Sequence, residues 1–346
     1  MEKTIQEKDY SISCARLIAM VFIVACHMMQ MDGFSSDIKG AHIEWAFWFN
    51  VGVQMFLFIS GYLYGKKDRI DIVEFYKKNF PKLLVDYYIF IAMMLVVIHF
   101  SPAIDVNEDQ VIGLLTFSGT VSGLGHLWFI PTILFCYLLT PAFSAIINEI
   151  NKRSSIRFWI EALLLLYVIH KIVHMHFKSF DSAWINCFVI GMIYNKIEQR
   201  KKSRILFIWI VVVLCMVMIP VQFRLDYWPH GELPRFFSIR YWYFKNYGHV
   251  FLGILIVLII RCLYKKIKGN AKKHPVLDWC DKYSYDVYLV HHVFVQSAFA
   301  CVIYISNRLI ALPLAVLLTV CFAMLLYHVS KWIRTLCIAV FRRLPN

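Results

Sequence analysis

Residues 11–30 read SISCARLIAMVFIVACHMMQ, and this apolar stretch is long enough to cross a lipid bilayer as a single α-helix. A bilayer core requires about 20 mostly apolar residues for each helical span. Scanning outward from this stretch with the same criterion gives ten candidate spans. They cover residues 12–31, 43–64, 83–100, 125–147, 157–176, 182–197, 204–222, 246–262, 284–305 and 309–329. We therefore predict an all-α integral membrane protein, a bundle of about ten transmembrane helices.

The composition favours a membrane protein over a soluble one. Hydrophobic residues make up 60% of the 346 residues and charged residues 17%, against about 45–50% and about 25% in soluble domains. A net charge of +14 would suggest nucleic acid as the partner of a soluble protein, but in a membrane protein basic residues mainly report topology. We predict contact with membrane lipids and no nucleic-acid partner.

The positions of Lys and Arg test the number of spans independently, because short cytoplasmic loops retain basic residues. With the amino terminus inside, 27 of the 36 basic residues fall in predicted cytoplasmic segments or at the span ends that border them, seven fall outside, and two, Arg16 and Lys171, fall deeper within spans. This alternation places both termini in the cytoplasm. No domain boundary, repeat or low-complexity tract interrupts the sequence. Residues 1–346 are therefore predicted to form one polytopic domain in the cytoplasmic membrane.

Ionisable residues inside a span are candidates for function, because burial in lipid is costly unless the group is paired or hydrated. The first span carries Arg16 and His27, which lie within about 20° of each other on the helix and about 16 Å apart along its axis. Arg16 alone could snorkel to the surface, and His27 alone could be satisfied by a neighbouring helix. Their shared face favours a site for a long ligand with an anionic head and a reactive far end.

Basic residues crowd the entrance to the third span. Lys77, Lys78 and Lys82 either report topology, contact lipid heads, or bind a ligand with several phosphates. Asp86, one turn further on, could pair with Lys82.

Three further histidines and one outer loop are also candidates for function. His126 begins the fourth span. His291 and His292 lie in the ninth span, where adjacent positions point in different directions, so one of the two is expected to be structural. The outer loop 223–245 mixes aromatic and charged residues, which is typical of an interfacial belt and also fits a lid over an acceptor site.

Four blocks, in order along the chain, resemble the acyltransferase-3 family of membrane acyltransferases, which modify surface glycans and other extracytoplasmic acceptors. They are SCARLIAMVFIVACHMM (13–29), VGVQMFLFISGYLYG (51–65), HLWFIPTILFCYLLTP (126–141) and YSYDVYLVHH (283–292). In that family the histidine of the first helix is regarded as catalytic and its arginine as essential, which implies these roles for His27 and Arg16.

Two departures from the family pattern concern charged groups. The family's R-x-x-R at the start of the third helix, regarded as binding acyl-CoA, corresponds here to Asn79 and Lys82, and lysine lacks the bidentate fork of arginine. Lys77 or Lys78 is then expected to supply the charge that Asn79 lacks. The aspartate often found three residues before the arginine is replaced by Ser13, so Arg16 is expected to lack that partner.

The resemblance implies transfer of an acyl group, acetyl in the simplest case, from cytoplasmic acetyl-CoA to a hydroxyl of an extracytoplasmic glycan or glycolipid. His27 would act as general base, with a covalent acyl-histidine as the alternative. His126 would orient the acceptor or stabilise the tetrahedral oxyanion, and no metal is expected. A transporter or flippase for a lipid-linked sugar, and a sensory or scaffold membrane protein, are the rival interpretations.

Overall fold

The computed structural model describes residues 8–32, 35–38, 41–101, 104, 106–119, 121, 123–227, 234–268 and 274–341. About 85% of it is helical. The helices are α1 (Tyr10–Asp32), α2 (Trp45–Phe49), α3 (Gly52–Gly65), α4 (Ile72–His99), α5 (Glu108–Leu115), α6 (Phe129–Asn151), α7 (Ser155–His176), α8 (Ser182–Glu198), α9 (Lys201–Tyr227), α10 (Arg235–Ile239), α11 (Tyr241–Lys268), α12 (Pro275–Gln296), α13 (Cys301–Tyr304) and α14 (Arg308–Phe341). A 3₁₀ turn, Gly125–Trp128, precedes α6, and the antiparallel strands β1 (Ser35–Ile38) and β2 (Ala41–Glu44) follow α1.

Within the described residues, seven helical stretches are long and apolar enough to cross a membrane. They are Tyr10–Met31, Trp45–Gly65, Ile72–His99, Gly125–Asn151, Lys201–Tyr227, Pro275–Tyr304 and Arg308–Leu336. The predicted all-α membrane fold is therefore confirmed. The other three predicted spans also fall in helices, α7, α8 and α11. The count of ten spans, the side of each terminus and the single domain stay predictions.

The helices differ from the predicted spans chiefly at their ends. The predicted span 43–64 consists of β2, the short α2 and then α3. α9 and α11 continue beyond the predicted 204–222 and 246–262, to Lys201–Tyr227 and Tyr241–Lys268. Charged residues such as Lys and Arg are good helix formers although lipid excludes them, so a helix does not end where its apolar stretch ends.

The described residues cluster into two compact units. The first unit draws on the described parts of 1–29, 33–70 and 138–281, and the second unit on those of 30–32, 71–137 and 282–346. The most extensive contact within the first unit joins α3 to α8.

Glycines allow α3 and α8 to approach closely. A Cβ atom on Gly61 would lie 1.8 Å from the carbonyl oxygen of Phe188, and one on Gly191 would lie 2.2 Å from that of Phe58. Gly65 lies one turn beyond Gly61, and a Cβ atom on it would lie 2.6 Å from the carbonyl oxygen of Met192. Small residues four apart are the usual means by which helices pack in a membrane, where lipid is as apolar as the side chains.

The second unit is built around α4, α14 and the later part of α12. The side chain of Asp71 caps α4 by accepting a hydrogen bond from the backbone N–H of Glu74 at 2.8 Å. The Tyr285 hydroxyl on α12 donates to the carbonyl oxygen of Leu83 on α4 at 3.0 Å. On α14, Arg334 forms an ion pair with Asp86 of α4 at 3.0 Å. The contacts at Leu83 and Asp86 therefore join all three helices near the middle of α4.

Candidate active site

Arg16 and His27 lie on the side of α1 that is packed inside the first unit. Ile23 and Met20, which flank this pair on the helical wheel, are buried, whereas Val21 on the opposite side is exposed. Both Arg16 and His27 are half-buried. Neither side chain therefore lies on the exposed side of α1. Both lie between buried neighbours and remain partly accessible to a ligand.

Close packing against α3 fixes this part of α1. A Cβ atom on Gly52 would lie 2.5 Å from the carbonyl oxygen of Ala19 and 2.8 Å from the side chain of Ile23. A larger residue at position 52 would separate the two helices. The sequence block from 51 to 65 therefore positions the stretch of α1 between Arg16 and His27.

Asp281, in the part of α12 that belongs to the first unit, holds Arg16. Nη1 of Arg16 lies 2.6 Å from Oδ1 of Asp281, and the Ser13 hydroxyl donates to Oδ2 at 2.5 Å. Nζ of Lys8 lies 2.7 Å from the same Oδ2. Arg16 does lack the aspartate three residues earlier, but the distant Asp281 supplies a carboxylate partner instead, and Ser13 binds that aspartate as well.

This ion pair changes what Arg16 can do. Its guanidinium is already engaged by Asp281, so a phosphate group would have to compete with a charge-assisted hydrogen bond. Arg16 is better suited to fixing α1 than to serving as the main phosphate anchor.

A second buried ion cluster lies at the same end of α1. Nη2 of Arg261 lies 2.9 Å from Oε1 of Glu198 and 3.1 Å from Oδ2 of Asp9. It also donates to the Tyr62 hydroxyl at 3.0 Å, which in turn donates to Glu198 at 2.5 Å. This Arg261 cluster ties the start of α1 to the ends of α3, α8 and α11. Sequence analysis treated Arg261 only as a topology marker, because its partners are far apart in the chain.

Asp9 shows the electrostatic effect of this cluster. Burial alone would raise the pKa of Asp9, but the hydrogen bond from Ser11 and the charge of Arg261 outweigh it and hold the pKa below its ordinary value. Asp9 is therefore a carboxylate at neutral pH.

The predicted donor-binding residues lie in the second unit, on α4. Lys77, Lys78 and Lys82 are exposed, and Lys78 and Lys82 share one side of the helix. The Asn79 side chain donates to the carbonyl oxygen of Phe75 at 2.7 Å, within its own helix. Lys78 and Lys82 are thus the better placed pair for a phosphate group.

Asp86 is engaged by a residue that sequence analysis did not consider. Its carboxylate lies 3.0 Å from Nη1 of Arg334. The suggested pairing of Asp86 with Lys82 is replaced by this ion pair, which leaves Lys82 on the exposed surface.

Three histidines meet in the second unit around the 3₁₀ turn. The ring of His126 stacks on that of His292 with centroids 4.5 Å apart, and it meets the ring of His291 edge-on at 5.0 Å. All three rings are buried. His291 and His292 do point in different directions on α12, but His126 comes from another element and contacts both.

Backbone carbonyls determine the tautomers of this His126 cluster. Nδ1 of His292 lies 2.8 Å from the carbonyl oxygen of Gly123, and Nδ1 of His291 lies 2.6 Å from that of Tyr288. A carbonyl can only accept, so each neutral ring carries its proton on Nδ1 and its lone pair on Nε2. In His126 the proton is on Nε2 and the lone pair on Nδ1, because Nε2 lies 3.0 Å from the carbonyl oxygen of Leu289. Gly123 reaches this geometry with a φ of 79°, which favours glycine.

Sequence analysis also missed a polar chain at the opposite end of the first unit. The Gln222 amide donates to Asp226 at 3.4 Å and lies 3.3 Å from Nε2 of His249. The Tyr241 hydroxyl donates to Asp226 at 2.5 Å, and Lys245 donates to that hydroxyl at 3.1 Å. Burial and the Asp226 carboxylate raise the pKa of Tyr241.

Much of the predicted outer loop belongs to helices. The described parts of 223–245 form the end of α9, α10 and the start of α11. The rest of the segment interpreted as a possible lid, 228–233, lies outside the described residues.

Comparison with known protein families gives a match. The family model for the acyltransferase domain of the acyltransferase-3 group (Acyl_transf_3) matches residues 9–328. No curated protein and no solved structure matches the chain. Among the described residues, no group of three or more His, Cys, Asp or Glu side chains is arranged to hold a metal ion.

Proposed function

Since the chain belongs to the acyltransferase-3 family and is a multi-pass membrane acyltransferase, we propose that it transfers an acetyl group from cytoplasmic acetyl-CoA to a hydroxyl of an extracytoplasmic glycan or glycolipid. The enzyme is then an O-acyltransferase of the cytoplasmic membrane. The observation that carries the proposal is the position of Arg16 and His27, both half-buried on the packed side of α1.

His27 is proposed as the general base. It removes the proton of the acceptor hydroxyl while the oxygen attacks the thioester carbonyl. The tetrahedral intermediate then expels the thiol of CoA, which leaves with the proton held by His27. A new C–O bond replaces the C–S bond, and no other reactant is required. A route through an acyl-histidine would use the same residue as nucleophile.

Arg16 is proposed as a positioning residue of this reaction. Its ion pair with Asp281 and the shared hydrogen bond from Ser13 fix the first half of α1. His27 lies three helical turns further along the same helix, so a rigid α1 keeps the imidazole in its orientation. Arg16→Lys retains the charge but loses the planar fork, and we expect it to lower kcat more than it raises KM.

The proposed donor site is the surface of α4 that carries Lys78 and Lys82, with Lys77 and Asn79 at its edge. Phosphates of CoA would be attracted by the two lysines, which are exposed and form no ion pair with the residues that the structure describes. Replacing Lys78 and Lys82 together by Ala should raise KM for acetyl-CoA about tenfold with little change in kcat. Lys201 and Lys202, exposed at the start of α9, provide a matched double replacement that should leave KM unchanged. An equal rise in both double variants would contradict a specific donor site.

His126 is proposed as a further residue that acetyl transfer requires. Its ring is held by the Leu289 carbonyl and by stacking on His292. His126→Ala should lower kcat, whereas His126→Asn, which retains one hydrogen-bond donor, should lower it less. Equal activity in the wild type and both variants would remove His126 from the proposal.

Transfer of labelled acetyl groups tests the proposed chemistry. Membranes that contain the protein receive acetyl-CoA labelled in the acetyl group, and mass spectrometry then measures label in surface glycans. We expect label with the wild type and a loss of at least about a hundredfold with His27→Ala, which is the range for one general base. His176→Ala, an exposed histidine at the end of α7, is the matched control and should retain full transfer. An equal amount of label with the wild type and with His27→Ala would contradict the role of His27 as the base. Export of glycan without label would favour a transporter.

A further inference from the structure

A group of polar and aromatic side chains in the first unit joins the short α2 to the end of α9 and the start of α11. Its members are all half-buried, so each of them keeps some accessible surface. We call this group the Asp226 cluster, and it consists of Phe47, Trp48, Asp226, Tyr227, Tyr241 and Lys245. The acetyl transfer as proposed does not use it.

α2 places the Asp226 cluster beside the half of α1 that carries His27. The ring of Phe49, the last residue of α2, meets the ring of Phe22 edge-on, with the centroids 5.3 Å apart. Phe22 lies five residues before His27 on α1. The cluster therefore lies in the part of the first unit that also carries His27.

Asp226 provides hydrogen-bond acceptors in this cluster. Its Oδ1 accepts a hydrogen bond from the Tyr241 hydroxyl at 2.5 Å, and its Oδ2 accepts only a long one, at 3.4 Å, from Gln222. Asp226 forms no ion pair with the residues that the structure describes. Since a carboxylate has about four lone-pair sites, this half-buried side chain retains acceptor sites for a ligand.

Lys245 provides donors next to these acceptors. Its Nζ donates to the Tyr241 hydroxyl at 3.1 Å, and that hydroxyl donates to Asp226. An ammonium group has further N–H donors beyond this one. A hydroxyl both donates and accepts, so one hydroxyl of a sugar can donate to Asp226 while its neighbour accepts from Lys245.

Aromatic rings beside these groups suit the apolar face of a sugar. Nε1 of Trp48 donates to the Tyr227 hydroxyl at 3.2 Å, which fixes the two rings relative to each other. The C–H bonds of a sugar ring are attracted to the negative face of an aromatic ring. Aromatic walls with a few convergent polar groups are the usual composition of a small-molecule site.

The rings of Trp48 and Tyr227 differ from those of an interfacial aromatic belt. Trp242 on α11 is 65% exposed, which is typical of a belt residue in contact with lipid heads. Trp48 and Tyr227 are half-buried and hydrogen-bonded to each other across two helices. Their position therefore favours a binding site over a contact with the membrane surface.

Charge argues against an ionic ligand at this site. Nζ of Lys245 lies 4.4 Å from the ring centroid of Phe47 and 5.3 Å from that of Tyr241, so these rings already have a cation beside them. A second cation would be repelled by Lys245 and an anion by Asp226. A neutral ligand rich in hydroxyls would bind both groups without such repulsion.

We propose that the Asp226 cluster binds a neutral sugar unit of the acceptor glycan and so brings the reacting hydroxyl to His27. Hydroxyls of this unit bond to Asp226 and Lys245, and its apolar face lies on Trp48. The inference rests on the proposed function, from which it takes the glycan as acceptor, and it adds the residues that hold that glycan.

Saturation-transfer NMR tests sugar binding separately from the chemistry. The sample is the full chain in nanodiscs without acetyl-CoA, and empty nanodiscs give the background. The probes are neutral oligosaccharides released from the surface polymers of the cells that make the protein, with their acetyl groups removed by mild base. We expect saturation of sugar-ring protons with the wild type and with His27→Ala alike, and none with ethanolamine, a cationic probe. Saturation of ethanolamine alone, or of neither probe, would overturn the proposal.

Matched variants locate the bound sugar. Trp48→Ala removes a ring face and Asp226→Asn removes a charged acceptor, and each should weaken sugar binding about tenfold. Trp48→Phe retains an aromatic face and should keep most of the binding, which excludes misfolding as the cause of the loss. The controls are Trp209→Ala on the exposed side of α9 and Asp109→Asn on the surface of α5, and both should bind like the wild type. Equal losses in the variants and their controls would contradict the site.

Acetyl-transfer kinetics with the same oligosaccharides separate a failure of this site from a failure of the proposed function. Asp226→Asn should raise KM for the oligosaccharide about tenfold and leave KM for acetyl-CoA unchanged. An unchanged oligosaccharide KM in an active Asp226→Asn protein would overturn the sugar site alone. Sugar binding by a wild-type protein that transfers no acetyl group would support the site and contradict the proposed chemistry.

Discussion

At the scale of single residues, Arg16 owes its position to a carboxylate 265 residues further along the chain. Ser13 occupies the place where relatives often carry an aspartate, yet it binds the same Asp281 that pairs with Arg16. Asp281 on α12 therefore supplies the negative charge that the sequence next to Arg16 does not contain. No local pattern could have shown this, because helix periodicity reports which side a residue faces and not which distant residue it meets.

The Arg16–Asp281 pair gives a prediction on both activity and stability. Asp281→Asn leaves the half-buried guanidinium without its counter-ion, so we expect kcat to fall about tenfold or more and stability to fall by about 1–3 kcal/mol. Acetyl-transfer kinetics and thermal unfolding in detergent measure the two effects. Asp278→Asn is the control, since Asp278 is more exposed than Asp281 and, among the described residues, forms its ion pair with Lys8 alone. Equal losses in both variants would indicate a general effect of charge removal at the start of α12.

At the scale of elements, the helix pair α3–α8 depends on glycine. The sequence block that contains Gly61 and Gly65 pointed to a membrane helix, but it could not indicate α8 as the partner. The structure identifies that partner, because the Phe188 and Met192 carbonyls of α8 lie beside these glycines.

Gly61→Ala should therefore be severely destabilising. Its Cβ atom would lie 1.8 Å from the carbonyl oxygen of Phe188, a distance at which the helices must separate. We expect a loss of about 3 kcal/mol or more, because both helices are buried along their contact. Thermal unfolding and the yield of monodisperse protein measure it. Gly125→Ala is the matched control, since its Cβ atom would meet nothing within 4 Å. A Gly61→Ala protein as stable as Gly125→Ala would contradict this packing.

The sequence was sufficient for the long helices and insufficient for their contacts. Apolar stretches located α1, α4, α9 and α14 because lipid selects long runs of apolar residues. The predicted ends of these spans differ from the ends of the helices, since charged residues extend the helices beyond the apolar core. The Arg261 and His126 clusters combine residues from distant segments, so no motif spacing could predict them.

At the scale of the whole molecule, buried ion pairs make stability depend on pH. The pKa of Asp9 is held below its ordinary value, so Asp9 contributes stability above about pH 4 and loses it as the pH falls through its folded-state pKa. Asp9→Asn should lower the melting temperature at neutral pH by a few degrees and flatten its fall under acid. Melting curves of the wild type and the variant between neutral and acidic pH measure this. A parallel fall in both proteins would contradict the role of Asp9.

The central claim is that donor and acceptor meet at His27 from opposite sides of the membrane, and sealed proteoliposomes test it most directly. Labelled acetyl-CoA is added outside, with an acceptor glycan enclosed inside, and only vesicles whose protein exposes its donor side outward can react. We predict labelled glycan with the wild type and none with His27→Ala, while intact acetyl-CoA stays outside the vesicles. Labelled glycan that forms equally with His27→Ala, or only when acetyl-CoA and acceptor share one compartment, would contradict the account.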